Sequence, residues 1–119
     1  VPGMENYVVY ISDIAIKTGK TTTKYSLCFN IDPKTGRQIT LKEVFGDDYN
    51  ETLTKKIIAQ MAKNNDWDDD DEAQAQSKGY FVGIKPYASQ NFILYDDSTT
   101  FVYSPGEINK NEVRVTIEN

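Results

Sequence analysis

"FNIDPKTGRQITLKEVFGDDYN" (residues 29–50) holds the corner on which the fold turns. Asp32 and Pro33 suit the first two positions of a type I turn, and Gly36 offers the positive φ that ends it. This is hairpin chemistry with a bulge, so "RQITL" reads as a short return strand. Thr40 and Glu43 then stand at capping-box spacing, and "LKEVF" reads as one helical turn ended by Gly46. Asp48 and Glu51 repeat that spacing. The helix expected there runs over residues 48–64, with Tyr49, Leu53, Ile57 and Met61 on its apolar stripe and Ile58 widening it. A strand thus passes through a tight turn into a helix that lies back across a sheet. The plainer reading of the stretch is a corner, not a site.

Upstream, "NYVVYISDIAI" (residues 6–16) is β-branched and aromatic and reads as a mostly buried strand. "KTGK" turns the chain. "TTTKYSLCFNI" (residues 21–31) alternates. Thr23, Tyr25, Leu27, Phe29 and Ile31 share one face, expected to be the core face, and Lys24, Ser26, Cys28 and Asn30 share the other. Downstream, residues 64–79 read as a polar loop, and "YFVGIKPY" as a short strand or extended segment before Pro86. "NFILY" and "TTFVY" form a hairpin about "DDS", "SPGE" turns again, and "EVRVTI" puts Val113, Val115 and Ile117 on one face. The order predicts an α+β fold: an antiparallel sheet of about five or six strands with one main helix packed on one face. Residues 1–119 read as a single domain, long enough to bury roughly 65% of its unfolded surface.

The charge is uneven. Thirteen basic and 18 acidic residues give −5, and "DWDDDDE" (residues 66–72) carries six of the acids. No basic stripe or basic–aromatic platform appears, which argues against nucleic acid and a membrane surface as partners. A basic protein partner fits the acidity. No apolar run approaches a membrane span, so no direct membrane insertion by this domain is expected. There is no histidine and one cysteine, which removes the commonest general base and leaves no transition-metal ligand set. No cofactor and no metal are expected.

Asp66, Asp68 and Asp70 have the spacing of the first calcium ligands of an EF-hand. Asp71 stands where its glycine belongs and Ser77 where its glutamate belongs, so a solvated loop is the better reading. Trp67 within it is a packing anchor or an exposed contact. Cys28 has no base beside it in the pattern and is not expected to be a nucleophile. The acid pairs Asp47/Asp48 and Asp96/Asp97 sit where caps and turns want them. In "FVYSPGEIN" (residues 101–109), Tyr103 ends a strand, a Ser-Pro-Gly turn follows, and Glu107 and Ile108 come next. This is a hairpin turn with Ile108 tucked beneath it, or a presenting loop stiffened by Pro105.

"YSLCFNIDPKTGRQITLKEVF" and "NFILYDDSTTFVYSPGEI" resemble the two hallmarks of one family: a strand, a D-x-x-T-G turn and L-x-x-x-F before a helix, then an N-F hairpin, Y-x-P and E-I. The family is the domain of unknown function at the C-terminal end of the RsiV anti-sigma factor, shared with PdaC-type polysaccharide deacetylases and bacterial envelope lipoproteins. The likeness covers residues 7–117. Its common T-G-G-A-H segment keeps Thr18 and Gly19 here and lacks the Ala-His. The resemblance implies an extracytoplasmic domain, in the periplasm or at the cell surface, held by a signal or lipid anchor outside this chain. It implies a non-catalytic binding or sensor module whose partner is a lysozyme-like basic protein or a cell-wall glycan. The residues expected to bind are Thr18, Gly19, Tyr103, Pro105 and Glu107. Two alternatives stand beside this: a domain of a wall-polysaccharide-modifying enzyme that uses carboxylates only, and a structural spacer of a lipoprotein.

Overall fold

The computed structural model describes residues 8–118. β1 (Val8–Thr18) and β2 (Thr21–Ile31) form an antiparallel ribbon in unbroken register from Val8↔Ile31 to Thr18↔Thr21. The Asp32 turn forms as its residues demand: Gly36 N–H donates to the Asp32 carbonyl at 2.7 Å and Asp32 N–H to the Arg37 carbonyl at 2.9 Å. The expected return strand shrinks to one bridge, Gln38 to Ile31. Thr40 already begins α1 (Leu41–Phe45), its hydroxyl accepting from Glu43 N–H at 3.3 Å. Gly46 closes α1 at φ 93°.

α2 (Tyr49–Asn65) is the main helix, and its stripe of Leu53, Ile57, Ile58 and Met61 is buried. Asp48 precedes it without a side-chain cap bond. The acidic loop contains a third helix that the polar composition hid. α3 (Glu72–Ser77) is capped by Asp71, whose carboxylate accepts from Gln74 N–H at 2.8 Å. The signal was present as Asp71-x-x-Gln74. Trp67 is half-buried against the core, its ring 5.6 Å from that of Tyr80. β3 (Phe92–Leu94), β4 (Ser98–Tyr103) and β5 (Val113–Glu118) form a second antiparallel sheet in the order β3-β4-β5. The expected single sheet is therefore two, with Gln38 adding the rudiment of a sixth strand to the first.

Both faces of β3 and β4 are covered. Phe92, Leu94, Phe101 and Tyr103 join the α2 stripe, Val115 and Ile117 in the main core. Ile93 and Val102 face the other way and meet Cys28 and Val9 of the ribbon. This inverts the expected facing of β2: Ser26, Cys28 and Asn30 are buried, while Leu27, Phe29 and Ile31 are half-buried. The reason is the neighbour. Cys28 packs on Ile93 and Val102, Ser26 meets Arg114 of β5, and β3 turns to β2 backbone groups that the Asn30 side chain satisfies.

Asn30 does so by donating from Nδ2 to the Phe92 carbonyl at 2.8 Å and accepting Leu94 N–H on Oδ1 at 3.0 Å. Asn91 reciprocates, donating to the Ser26 carbonyl and accepting Cys28 N–H, both at 2.6 Å. Each amide bonds residues two apart on its neighbour, as one residue does in a parallel ladder. Ser26 also ties the ribbon to β5: its hydroxyl donates to Asp13 at 2.7 Å and accepts from the Arg114 guanidinium at 3.0 Å. Among the described residues, no helix is long and apolar enough to cross a membrane.

Candidate functional site: a two-loop platform

The segment after α3 is neither strand nor extended chain. Gly79 and Gly83 adopt positive φ, and between them so does Phe81, at φ 56°. A bulky residue in the left-handed region costs about 1–3 kcal/mol and persists only where its surroundings enforce it. Here they do. Phe81 is fully buried, its N–H donates to the Ile108 carbonyl at 3.0 Å, and its carbonyl accepts from Gln76 Nε2 at 3.3 Å. Its ring packs edge-on against Tyr87 at 5.9 Å and Tyr103 at 5.7 Å. With Phe81 driven inward, Val82 and Ile84 are carried outward, 65% and 41% exposed.

The second loop follows Tyr103. Glu107 N–H donates to the Ser104 carbonyl at 2.9 Å, and Ser104 N–H returns a bond to the Glu107 carboxylate at 2.9 Å. Tyr87 donates its hydroxyl to the same carboxylate. Ile108 is buried beneath the turn, and Asn109 Nδ2 donates to the Gly79 carbonyl at 3.1 Å. Three cross-ties thus join the loops: Phe81 to Ile108, Asn109 to Gly79, and Tyr87 to Glu107. Between the loops lies a shallow groove of about 350 Å³, lined by Val82, Ile84, Gly106, Glu107, Asn109 and Lys110.

The platform gathers Pro105 and Glu107 of the five expected residues, half-buried and exposed respectively. Tyr103 lies beneath it, 0% exposed, donating its hydroxyl to the Tyr87 carbonyl at 2.6 Å. It supports the surface and does not form it; the large aromatic side chain fills the core between Phe81 and Tyr87. Thr18 and Gly19 are exposed at the tip of the ribbon and share none of these bonds. Sequence reasoning missed Phe81, Val82 and Ile84. The available signal was Gly79 and Gly83 bracketing them, which marks turns and weakens a strand reading.

Burial, then the bond to Glu107, pushes the Tyr87 phenol above its usual range, and burial does the same to Tyr103. Burial also raises the Cys28 thiol, which favours the unreactive protonated form. A second concavity, about 500 Å³, lies beside α2 and α3 and is lined by Asn50, Thr54, Lys55 and four carboxylates. Three of those serve the fold: Asp71 caps α3, Glu51 lies 3.8 Å from Lys55, and Glu72 accepts from Gln76 at 3.5 Å. Among the described residues, no group of three or more His, Cys, Asp or Glu is arranged to hold a metal ion.

A family model described as "Protein of unknown function (DUF3298)" matches residues 42–109, from α1 through both platform loops. No curated protein matches the chain. Among solved structures, it is similar to a member of the DUF3298 family from Bacteroides fragilis, at 22% identity and a TM-score of 0.80. The match covers 95% of this chain and 46% of that one, so this chain spans a little under half the length of its structural relative. At that identity the likeness shows the fold.

Proposed function

The chain belongs to the DUF3298 family, and from that premise we propose that it is a non-catalytic binding module of the bacterial cell envelope that engages its partner through the two-loop platform. The observation that carries this is the exposure of Val82 and Ile84 on backbone already immobilised by Phe81 and the three cross-ties. Neighbouring exposed aliphatic side chains gain free energy when a partner covers them. A loop ordered before binding loses little entropy on docking. In the separate concavity beside α2 and α3, the engagement of Asp71 in a cap, Glu51 with Lys55 and Glu72 with Gln76 favours binding over catalysis.

The resemblance to the RsiV C-terminal domain supports an extracytoplasmic location and a partner that is a lysozyme-like basic protein or a cell-wall glycan. The acidic run before α3 would speed encounter with a basic partner more than it would tighten the complex.

Surface plasmon resonance against a basic lysozyme and against soluble peptidoglycan fragments tests this. Val82→Asp and Ile84→Asp should each speed dissociation about tenfold while leaving the melting temperature unchanged. Changing Asp68 to Asp71 into Asn should slow association with lysozyme and flatten its salt dependence. Absence of binding to both probes at about 1 mM would retire the reading. Binding indifferent to Val82 and Ile84 would move the site off the platform.

A further inference from the structure

The bonds made by β2 reveal the polarity of β1. The Ser26 carbonyl and Cys28 N–H serve Asn91, and the Asn30 carbonyl takes Ile39 N–H at 2.7 Å. The even-numbered residues of β2 therefore direct their backbone away from β1. Bonding alternates along an antiparallel pair, so the odd-numbered residues of β2 serve β1. Their register partners are the even-numbered residues Tyr10, Ser12, Ile14 and Ile16. The odd-numbered residues of β1, from Val9 to Lys17, thus turn N–H and C=O to the outer edge, where no described strand pairs.

That edge runs for 11 residues with no proline and no break in register. It is about twice the usual strand length and lacks the bulge, proline or brevity that normally protects an edge. We propose that it pairs antiparallel with β1 of a second copy, centred on Ala15, joining two ribbons into a four-stranded sheet. The occupant is written in the residues Asp13-Ile14-Ala15-Ile16-Lys17, which are self-complementary when reversed. Centred on Ala15, Asp13 meets Lys17 of the second copy, Ile14 meets its Ile16, and Ala15 meets its own counterpart. A two-fold axis makes each unlike pairing occur twice.

Opposed charges and opposed aliphatics are favourable cross-strand pairs. Centring on Asp13 instead sets two carboxylates face to face, and centring on Ser12 sets Asp13 against Ile11. The charges therefore select one register. Ala15 and Lys17 are exposed, Ile16 is 47% exposed and Ile14 half-buried; Asp13 is exposed too, with one carboxylate oxygen accepting from Ser26 and the other left for Lys17. Ala15 is an outward-bonding residue, so it exchanges both backbone bonds with its counterpart. Ile14 and Ile16 extend the outer face that Leu27 and Phe29 already make apolar.

Sedimentation equilibrium on the 119-residue chain, at rising protein concentration, tests the pairing independently of the platform. The expected result is a monomer–dimer equilibrium that weakens with salt. Ala15→Pro removes an outward N–H, leaves the β1–β2 ladder bonds in place, and should abolish the dimer. Lys17→Glu, at an exposed position, should weaken it about tenfold. Lys17→Arg keeps the opposed charges and should leave it intact. A chain monomeric at about 1 mM would overturn the proposal. So would a dimer indifferent to Ala15→Pro or to Lys17→Glu.

Discussion

Asn30 and Asn91 exchange side-chain amides across the junction of the two sheets, each bonding one carbonyl and one N–H two residues apart on the other's segment. The donor and acceptor of an amide side chain match those of a peptide group, so either asparagine stands in for a missing strand residue. Asn30 is buried and Asn91 half-buried. Removing the first strands two backbone groups of β3 away from water. Asn30→Ala should therefore destabilise by about 3 kcal/mol in urea unfolding. Asn30→Asp keeps the acceptor for Leu94 N–H, loses the donor to Phe92, and should be less stable at pH 7 than at pH 4. A cost below about 0.5 kcal/mol for Asn30→Ala would show that the junction is not held this way.

Leu53 and Ile57 lie fully within the core on the stripe of α2, and Lys56 beside them is exposed. Truncating either aliphatic to alanine should cost about 2–5 kcal/mol. Lys56→Ala should cost under about 0.5 kcal/mol. Equal small losses from all three, measured by chemical denaturation, would mean the helix presents another face to the sheet.

The phenols of Tyr87 and Tyr103 give the fold an alkaline limit. In the unfolded chain both ionise near pH 10; in the folded chain both ionise later, chiefly because they are buried. Above pH 10 the unfolded state therefore binds fewer protons than the folded state, and stability falls as pH rises. Below pH 10 their contribution is complete. Urea midpoints should hold from pH 8 to about pH 10 and decline toward pH 11, and Tyr87→Phe should flatten the decline. A flat profile to pH 11 would contradict the burial of both rings.

Cys28 packs against Ile93 and Val102 beneath the ribbon. Burial and a raised thiol pKa both slow attack on a disulfide reagent. Ellman's reagent should react with it only as fast as the ribbon opens, and at once in guanidinium chloride. Rapid stoichiometric reaction of the native protein would place the thiol on the surface.

The stripe of α2, the Thr40 cap, the Asp32 turn and the alternation of β5 were legible because each is set by bonds or burial acting within a few residues. The Asp71 cap was equally local and was obscured only by the acids around it. What tertiary structure decided was the environment of each strand face. The alternation of β2 was read correctly, yet its buried side was not. Asn30 goes inward to bond β3 backbone more than 60 residues on, Cys28 to pack on Ile93 and Val102, and Ser26 to meet Arg114 of β5. The same distance hid the platform. Phe81 takes a strained backbone because Ile108, Tyr87 and Tyr103 hold it there, and Val82 and Ile84 are exposed as the consequence. Periodicity tells that a strand has two faces; only the partner that arrives from elsewhere in the chain tells which one is buried.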